Sequence, residues 1–193
     1  MVNAVKQATH AGANYTIAEG IAVKSPGKLS RELIRRYVDD LLLVGEEDIE
    51  RAILKLLEIE KTLVEGAGAA PLAAVLKYPD RFRGKCVGLV LSGGNLDPFV
   101  LVDIIKRGMV HAGRLARIHL DIRDVPGALA AITHIVAECG ANIEDVSHQR
   151  AFTVLPAKSA ELDVVLQTRD AAHVDEIVAA LNAAGFRAQL HNQ

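Results

Sequence analysis

The chain has 193 residues, half of them hydrophobic and 24% charged, with a formal net charge of −2. This is the ordinary balance of a globular protein, and with no basic run or block of like charge it argues against nucleic acid or an anionic membrane as a partner. No apolar stretch approaches the roughly 20 residues of a membrane helix, and the first residues lack the charged-then-apolar layout of a secretory leader, so a cytoplasmic protein is expected.

Met1 to Ala13 has few large apolar side chains and little period. Thr16 to Val23 suits a strand or a buried loop, and Ser25-Pro26-Gly27 is a turn signal. A helix is expected from about Ser30, with Leu33, Ile34, Tyr37, Val38 and Leu41 on one face of a 3.6-residue repeat. Asp39-Asp40 leads into Leu41-Leu42-Leu43-Val44, a candidate short strand ended by Gly45. Adjacent acids point about 100° apart on a helix, so this pair suits capping or surface duty rather than paired catalysis.

Glu46-Glu47-Asp48 puts three acids in the first turn of the next helix, where the helix dipole favours them. Ile49, Ala52, Ile53, Leu56 and Leu57 form its inward face. Glu65-Gly66-Ala67-Gly68-Ala69 opens a small-residue helix that runs to Leu76, before Tyr78-Pro79. Val87-Gly88-Leu89-Val90-Leu91 is short and continuously apolar, the pattern of a parallel strand covered on both faces. Ser92-Gly93-Gly94-Asn95 follows. Asp97-Pro98 reads as an N-cap with proline at N1, opening a helix from Val100 to Val110. His111-Ala112-Gly113-Arg114 marks the boundary between a first region, residues 1–112, and a second, residues 113–193. Cys86 and Cys139 lie in apolar segments without metal-ligand or redox spacing and read as buried free thiols.

The second region reads as one complete folding unit. Arg117 to Ile122 alternates polar and apolar, and Asp124-Val125-Pro126-Gly127 is a tight turn. Leu129, Ile132, Ile135 and Val136 keep helical spacing up to Gly140, placed as a C′ glycine. Ala141 to Ser147 begins a second strand and Leu162 to Leu166 is a third. Val174, Ile177, Val178 and Leu181 mark a second helix stopped by Gly185, and Phe186 to Leu190 is a last strand. The order βαββαβ is the ferredoxin-like split unit.

Two motifs in the first region could carry chemistry. Ser92-Gly93-Gly94-Asn95 sits between an expected parallel strand and a helix start, the carboxyl rim where open α/β sheets place ligands. Two glycines would let the backbone approach a flat ring, and Ser92 offers a hydroxyl; the bland alternative is a tight turn that binds nothing. Glu65-Gly66-Ala67-Gly68-Ala69 would either line a site or supply a capping carboxylate and close backbone packing. The seven histidines have no i+3 or i+4 pairing, so no metal site is expected.

Taken together, these motifs resemble the C-terminal part of threonine dehydratase (threonine ammonia-lyase), a family with a tryptophan-synthase-β-like (fold type II) pyridoxal-phosphate domain. The resemblance is carried by Thr16-Ile17-Ala18-Glu19-Gly20-Ile21-Ala22-Val23, Tyr37-Val38-Asp39-Asp40, Glu65-Gly66-Ala67-Gly68-Ala69 and Leu91-Ser92-Gly93-Gly94-Asn95. Arg107-Gly108 and Gly113-Arg114-Leu115 also match, and the second region resembles an ACT domain. The resemblance implies that Ser92 would hydrogen-bond the pyridine nitrogen of pyridoxal 5′-phosphate. Gly93, Gly94 and Asn95 would shape the ring edge, and Glu65, Gly66 and Gly68 would line the cofactor. A neutral hydroxyl at the ring nitrogen suits β-elimination over transamination.

The sequence also departs from that family. No lysine follows a serine and an aromatic residue, and the longest glycine run is Gly93-Gly94. The family's Schiff-base lysine and phosphate loop are therefore not in this sequence. Two expectations follow: the chain is part of a dehydratase that is inactive alone and holds no cofactor by itself, or it is a stand-alone amino-acid-binding regulator. For the ACT unit, the resemblance implies an amino-acid effector near Asp124, Val125, Pro126, Gly127, Ala128 and Leu129, with Asn142 and Ile143 opening the second strand beside it, and pairing of ACT domains into a homo-oligomer.

Overall fold

The computed structural model describes residues 16–149 and 158–191. The stretch Met1 to Ala13 lies outside these. Contacts divide the chain into two compact units, Met1–Ile105 and Lys106–Gln193.

The first unit is helical among its described residues. A single 3-10 turn at Glu19–Ile21 precedes α1 (Lys28–Tyr37), α2 (Glu46–Ile59), α3 (Gly66–Lys77), the short α4 (Pro79–Phe82) and the start of α5 (Pro98–His111). The acids opening α2 act as the dipole argument requires: the Asp48 carboxylate accepts the Gly45 amide at 3.0 Å. Its inward face, Ile49, Ala52, Ile53 and Leu56, is buried against Ala69 and Ala73 of α3, with Val64 and Ile104 completing the core. Asp97 caps α5 by accepting the Phe99 amide at 2.7 Å.

Several expectations for this unit are corrected. Val87–Leu91 is not a strand, and neither is Leu41–Val44. A strand exists only through hydrogen bonds to a neighbour, and no residue of Thr16–Ile105 is in a ladder. Val90 is accordingly 78% exposed, and Cys86 is an exposed thiol rather than a buried one. Thr16 to Val23 is neither strand nor buried loop: Ala18 is buried, but the 3-10 turn exposes Ile21 and Val23. The apolar stripe of α1 is uncovered too, with Leu29, Leu33 and Tyr37 exposed. Asp40 does serve the surface, pairing with Arg81 and accepting the Leu41 amide.

The second unit has the expected split order. β1 (Leu115–Arg123), α6 (Ala128–Glu138), β2 (Asn142–Gln149), β3 (Ser159–Gln167), α7 (Ala171–Ala183) and β4 (Arg187–Leu190) form an antiparallel sheet in the order β2-β3-β1-β4. Alternation assigns the faces. Ala116, Ile118, Leu120 and Ile122 of β1 and Ala160, Leu162, Val164 and Leu166 of β3 are buried, together with Ile132 and Val136 of α6 and Ile177 and Leu181 of α7. Both helices end in paired bonds that return the chain to the sheet: Gly140 N–H to Ala137 O with Ala141 N–H to Val136 O, and Gly185 N–H to Asn182 O with Phe186 N–H to Leu181 O.

The ladder between β2 and β3 contains a bulge. Ile143 pairs with Leu166 and Asp145 with Val165, so Glu144 has no opposite residue. The extra residue reverses the parity of everything after it. Ile143, Val146 and His148 therefore all lie opposite buried residues, Leu166, Val164 and Leu162, on the helix-covered face.

Candidate functional site

In the first unit the fold brings the two glycine motifs together. The Glu65 amide donates to the Gly93 carbonyl at 3.2 Å. Gly68 lies directly on the Ser92 carbonyl and Gly66 on the Ile17 carbonyl, and a Cβ at either would overlap backbone. The Glu65 carboxylate rests on Gly93, and Gly20 approaches Glu65 and Ala67. Thr16–Gly20, Glu65–Ala69 and Ser92–Gly94 thus meet at one place. The closeness at Gly66 and Gly68 is taken up by the chain's own backbone rather than left open for a ring. Ser92 and Asn95 are exposed. Ser92 is on no sheet rim, because the expected strand before it is not formed.

In the second unit a cleft of about 330 Å³ is lined by Ile122, Asp124, Val125, Pro126, Gly127, Ala128, Leu129 and His148. The β1–α6 turn is held from both sides: the Asp124 amide donates to the Lys158 carbonyl at 2.9 Å, and the Val125 amide to the Arg123 carbonyl at 2.9 Å. Gly127 is the residue before α6, with φ of 91°, and no side chain caps the first turn. Left-handed backbone at this point needs glycine, and the Ala128 amide of the first turn donates to the Val125 carbonyl at 3.2 Å. Asn142 is exposed opposite Gln167, and Ile143 packs on the core; neither is among the residues lining the cleft.

Ile122 and His148 are the two lining residues that sequence reasoning missed, and His148 is the polar one. The Nε2 of His148 is buried and has no hydrogen-bond partner among the described residues. The available signal was the spacing of Ile143 and Val146, three apart where an unbroken strand would space them by two.

Two other histidines are already engaged. His173 is 2% exposed; it accepts the Arg169 amide on Nδ1 at 3.1 Å, and its Nε2 lies 2.8 Å from the Cys139 carbonyl, tying α7 to the end of α6. His119 lies on the opposite sheet face, 3.0 Å from Asp163 and 3.4 Å from Asp121. The Asp163 carboxylate, helped by Asp121, raises its pKa above the usual imidazole range. No cluster of metal-ligating side chains occurs among the described residues, and no helix among them is long and apolar enough to cross a membrane.

Residues 2–93 match the family described as pyridoxal-phosphate dependent enzyme, and residues 112–184 match the ACT domain. The class is thus a segment of a fold type II pyridoxal-phosphate enzyme joined to a ferredoxin-like ACT domain. The chain is 45% identical over 175 residues to an L-threonine ammonia-lyase of Thermotoga maritima, covering 91% of this chain and 43% of the relative. It is 44% identical over 172 residues to an L-threonine ammonia-lyase of Geobacter sulfurreducens, covering 89% of this chain and 42% of the relative. A solved threonine deaminase of T.th. is 38% identical, with a TM-score of 0.42 over 45% of this chain and 31% of that one. The chain is therefore a counterpart of the C-terminal part of threonine dehydratase, with its ACT domain. It spans about two fifths of the length of these curated relatives.

Pyridoxal phosphate needs anchors at its ring nitrogen, ring edge, aldehyde and phosphate. Ser92, Asn95 and Glu65 offer polar groups for the ring, but the aldehyde and phosphate anchors are not in this sequence. The residues present do not fit the whole group.

Proposed function

We propose that residues 1–112 are the C-terminal portion of the catalytic domain of an L-threonine/L-serine dehydratase, and residues 113–193 its regulatory ACT domain. The complete enzyme would convert L-threonine to 2-oxobutanoate and ammonia. The supporting observation is the meeting of Glu65-Gly66-Ala67-Gly68 with Ser92-Gly93 in one place, held by the Glu65–Gly93 backbone bond. The uncovered apolar side chains of this unit, among them Val90, Leu91 and Phe99, fit a domain whose remaining strands come from elsewhere.

In this reading, the pyridoxal phosphate of the complete enzyme supplies the electron sink for breaking bonds at the substrate's α and β carbons. The Ser92 hydroxyl would meet the ring nitrogen, Gly93, Gly94 and Asn95 would border the ring, and Glu65, which rests on Gly93, would line the cofactor. By itself the chain does not catalyse, because it offers no lysine in the required setting. Assaying the 193-residue chain with L-threonine and added pyridoxal phosphate tests this. No 2-oxobutanoate and no lysine-dependent absorption band are expected; a band lost on replacing one lysine would overturn the reading. DNA 5′ of the Met1 codon gives a separate check: in-frame codons for a Ser-aromatic-Lys motif and a serine–glycine loop support the enzyme reading, and their absence sinks it.

The ACT unit is proposed to bind an amino-acid effector in the cleft at Asp124–Leu129 and to associate with a second copy. Effector binding would reach the catalytic domain as a coupling free energy of typically about 1–3 kcal/mol. A monomer on a sizing column would count against association. The cleft in a closed ACT core also favours a second reading, a stand-alone amino-acid-binding regulator. Calorimetry with threonine, isoleucine, valine and serine addresses it; flat traces for all four at millimolar concentration would end it.

A further inference from the structure

We infer that Asn182 is a lock on one edge of the antiparallel sheet: its carboxamide fills outward hydrogen-bonding groups of β4, and without it this edge would pair with the same edge of a second copy of the chain. The lock is independent of how the first unit and the effector cleft are used. An edge strand carries a row of backbone N–H and C=O groups with no neighbour, and such a row is a template for another strand. β4 stands at the end of the sheet order β2-β3-β1-β4.

The register identifies the groups of β4 that point outward. The His191 amide donates to the Arg117 carbonyl at 2.8 Å. Antiparallel pairs alternate between those that exchange hydrogen bonds and those that do not, so His119–Gln189 and Asp121–Arg187 face the ladder as well. Ala188, opposite Leu120, and Leu190, opposite Ile118, therefore direct their N–H and C=O away from β1. At Ala188 both groups are occupied. Asn182 Oδ1 accepts the Ala188 amide at 3.1 Å, and Nδ2 donates to the Ala188 carbonyl at 3.0 Å. These are the two bonds that an incoming antiparallel strand would make at this residue. The other Nδ2 hydrogen goes to the Val178 carbonyl at 2.8 Å, one turn back in α7, which holds the carboxamide in place. Phe186, two residues before Ala188, already gives its amide to the Leu181 carbonyl at 3.1 Å. The end of α7 thus covers the edge at positions 186 and 188, and Gly185, with φ of 88°, makes the turn that brings β4 alongside it.

The test compares the complete 193-residue chain with Asn182→Leu, Asn182→Ser and the double variant Asn182→Leu/Leu190→Pro. Mass is read by light scattering on a sizing column over a range of concentrations, and amide exchange by NMR. In wild type the Ala188 amide should exchange at least about tenfold more slowly than an open amide at every protein concentration. Both single variants should show a mean mass about twofold that of wild type at high concentration, because an edge paired with its own copy closes at two chains. Their Ala188 amide should be open in dilute solution and protected in concentrated solution. Leu190→Pro removes the next outward N–H, at an edge position that tolerates proline, and should return the mass to that of wild type. A folded single variant with wild-type mass at every concentration overturns the inference, and so does association that survives Leu190→Pro. Fast exchange at Ala188 in wild type overturns it without any variant. Asn182→Ser, the smaller change, decides if Asn182→Leu loses the wild-type melt; if neither keeps that melt, Asn182 holds the strand rather than guarding its edge, and the inference falls.

Discussion

The two units differ in what their sequences can complete. In the second, every strand has a neighbour, and Ile118, Leu120, Leu162 and Leu166 are wholly buried under two helices. In the first, α2 and α3 bury a core that mixes Ile49, Ile53 and Leu56 with alanines, while Leu29, Leu33, Val90 and Phe99 stay exposed. Both carry enough apolar residues; only one carries the hydrogen-bonding partners that turn an apolar run into a sheet. A hydrophobic pattern states a demand for burial, and topology decides whether the chain can meet it.

The largest effect should come from opening the closed core. Leu162→Ala is expected to destabilise the second unit by about 2–5 kcal/mol, as buried leucine truncations do, in urea denaturation followed by circular dichroism. The matching cut in the first unit, Val90→Ser, should stay within about 0.5 kcal/mol because the side chain is already in water. A Val90 effect as large as that of Leu162 would erase the contrast. Next in size is Gly68→Ala, where the added methyl meets the Ser92 carbonyl. Overpacking of this kind costs about 1–3 kcal/mol, and its unfolding signature should fall on the first unit alone; a neutral result would mean the two motifs do not meet.

The smallest effects concern pH, and they run in opposite directions. In the first unit, the Lys77 ammonium, 2.7 Å away, and then the Gly45 amide lower the Asp48 pKa. Stability from this depressed carboxylate is present above its unfolded value, about 3.9, and is lost as pH falls through the folded pKa. In the second unit, His119 is raised by Asp163, so its contribution is complete below about 6.5 and is lost as pH rises through the folded value. Asp48→Asn should therefore flatten the acid limb of a melting-temperature profile, and His119→Gln the limb above neutrality. Both groups are partly solvated, so shifts of a few degrees or less are expected.

The second unit was legible because its signals are local. Alternation from Arg117 to Ile122 and the glycines at 140 and 185 each state a face or a stop without reference to distant residues. Val87–Leu91 misled because a continuous apolar run reports burial in a sheet, and the ladder that would make it a strand depends on chain elements that are not near it. For the candidate sites, the turn Asp124–Leu129 could be picked out because proline and glycine punctuate it. His148 is harder to find: strict alternation from Ile143 sends residue 148 to the far face, and only the three-residue spacing of Ile143 and Val146 hints at the bulge that returns it.

That arithmetic gives the bulge an importance out of proportion to its size. Ile143 and His148 are an odd number of positions apart, so an uninterrupted strand can turn inward one or the other, never both. Removing the single codon for Glu144 would leave every cleft residue in the gene yet force a choice between anchoring the strand and furnishing the pocket. A deletion that preserves the reading frame can thus unmake the lining of the cleft from a position outside it.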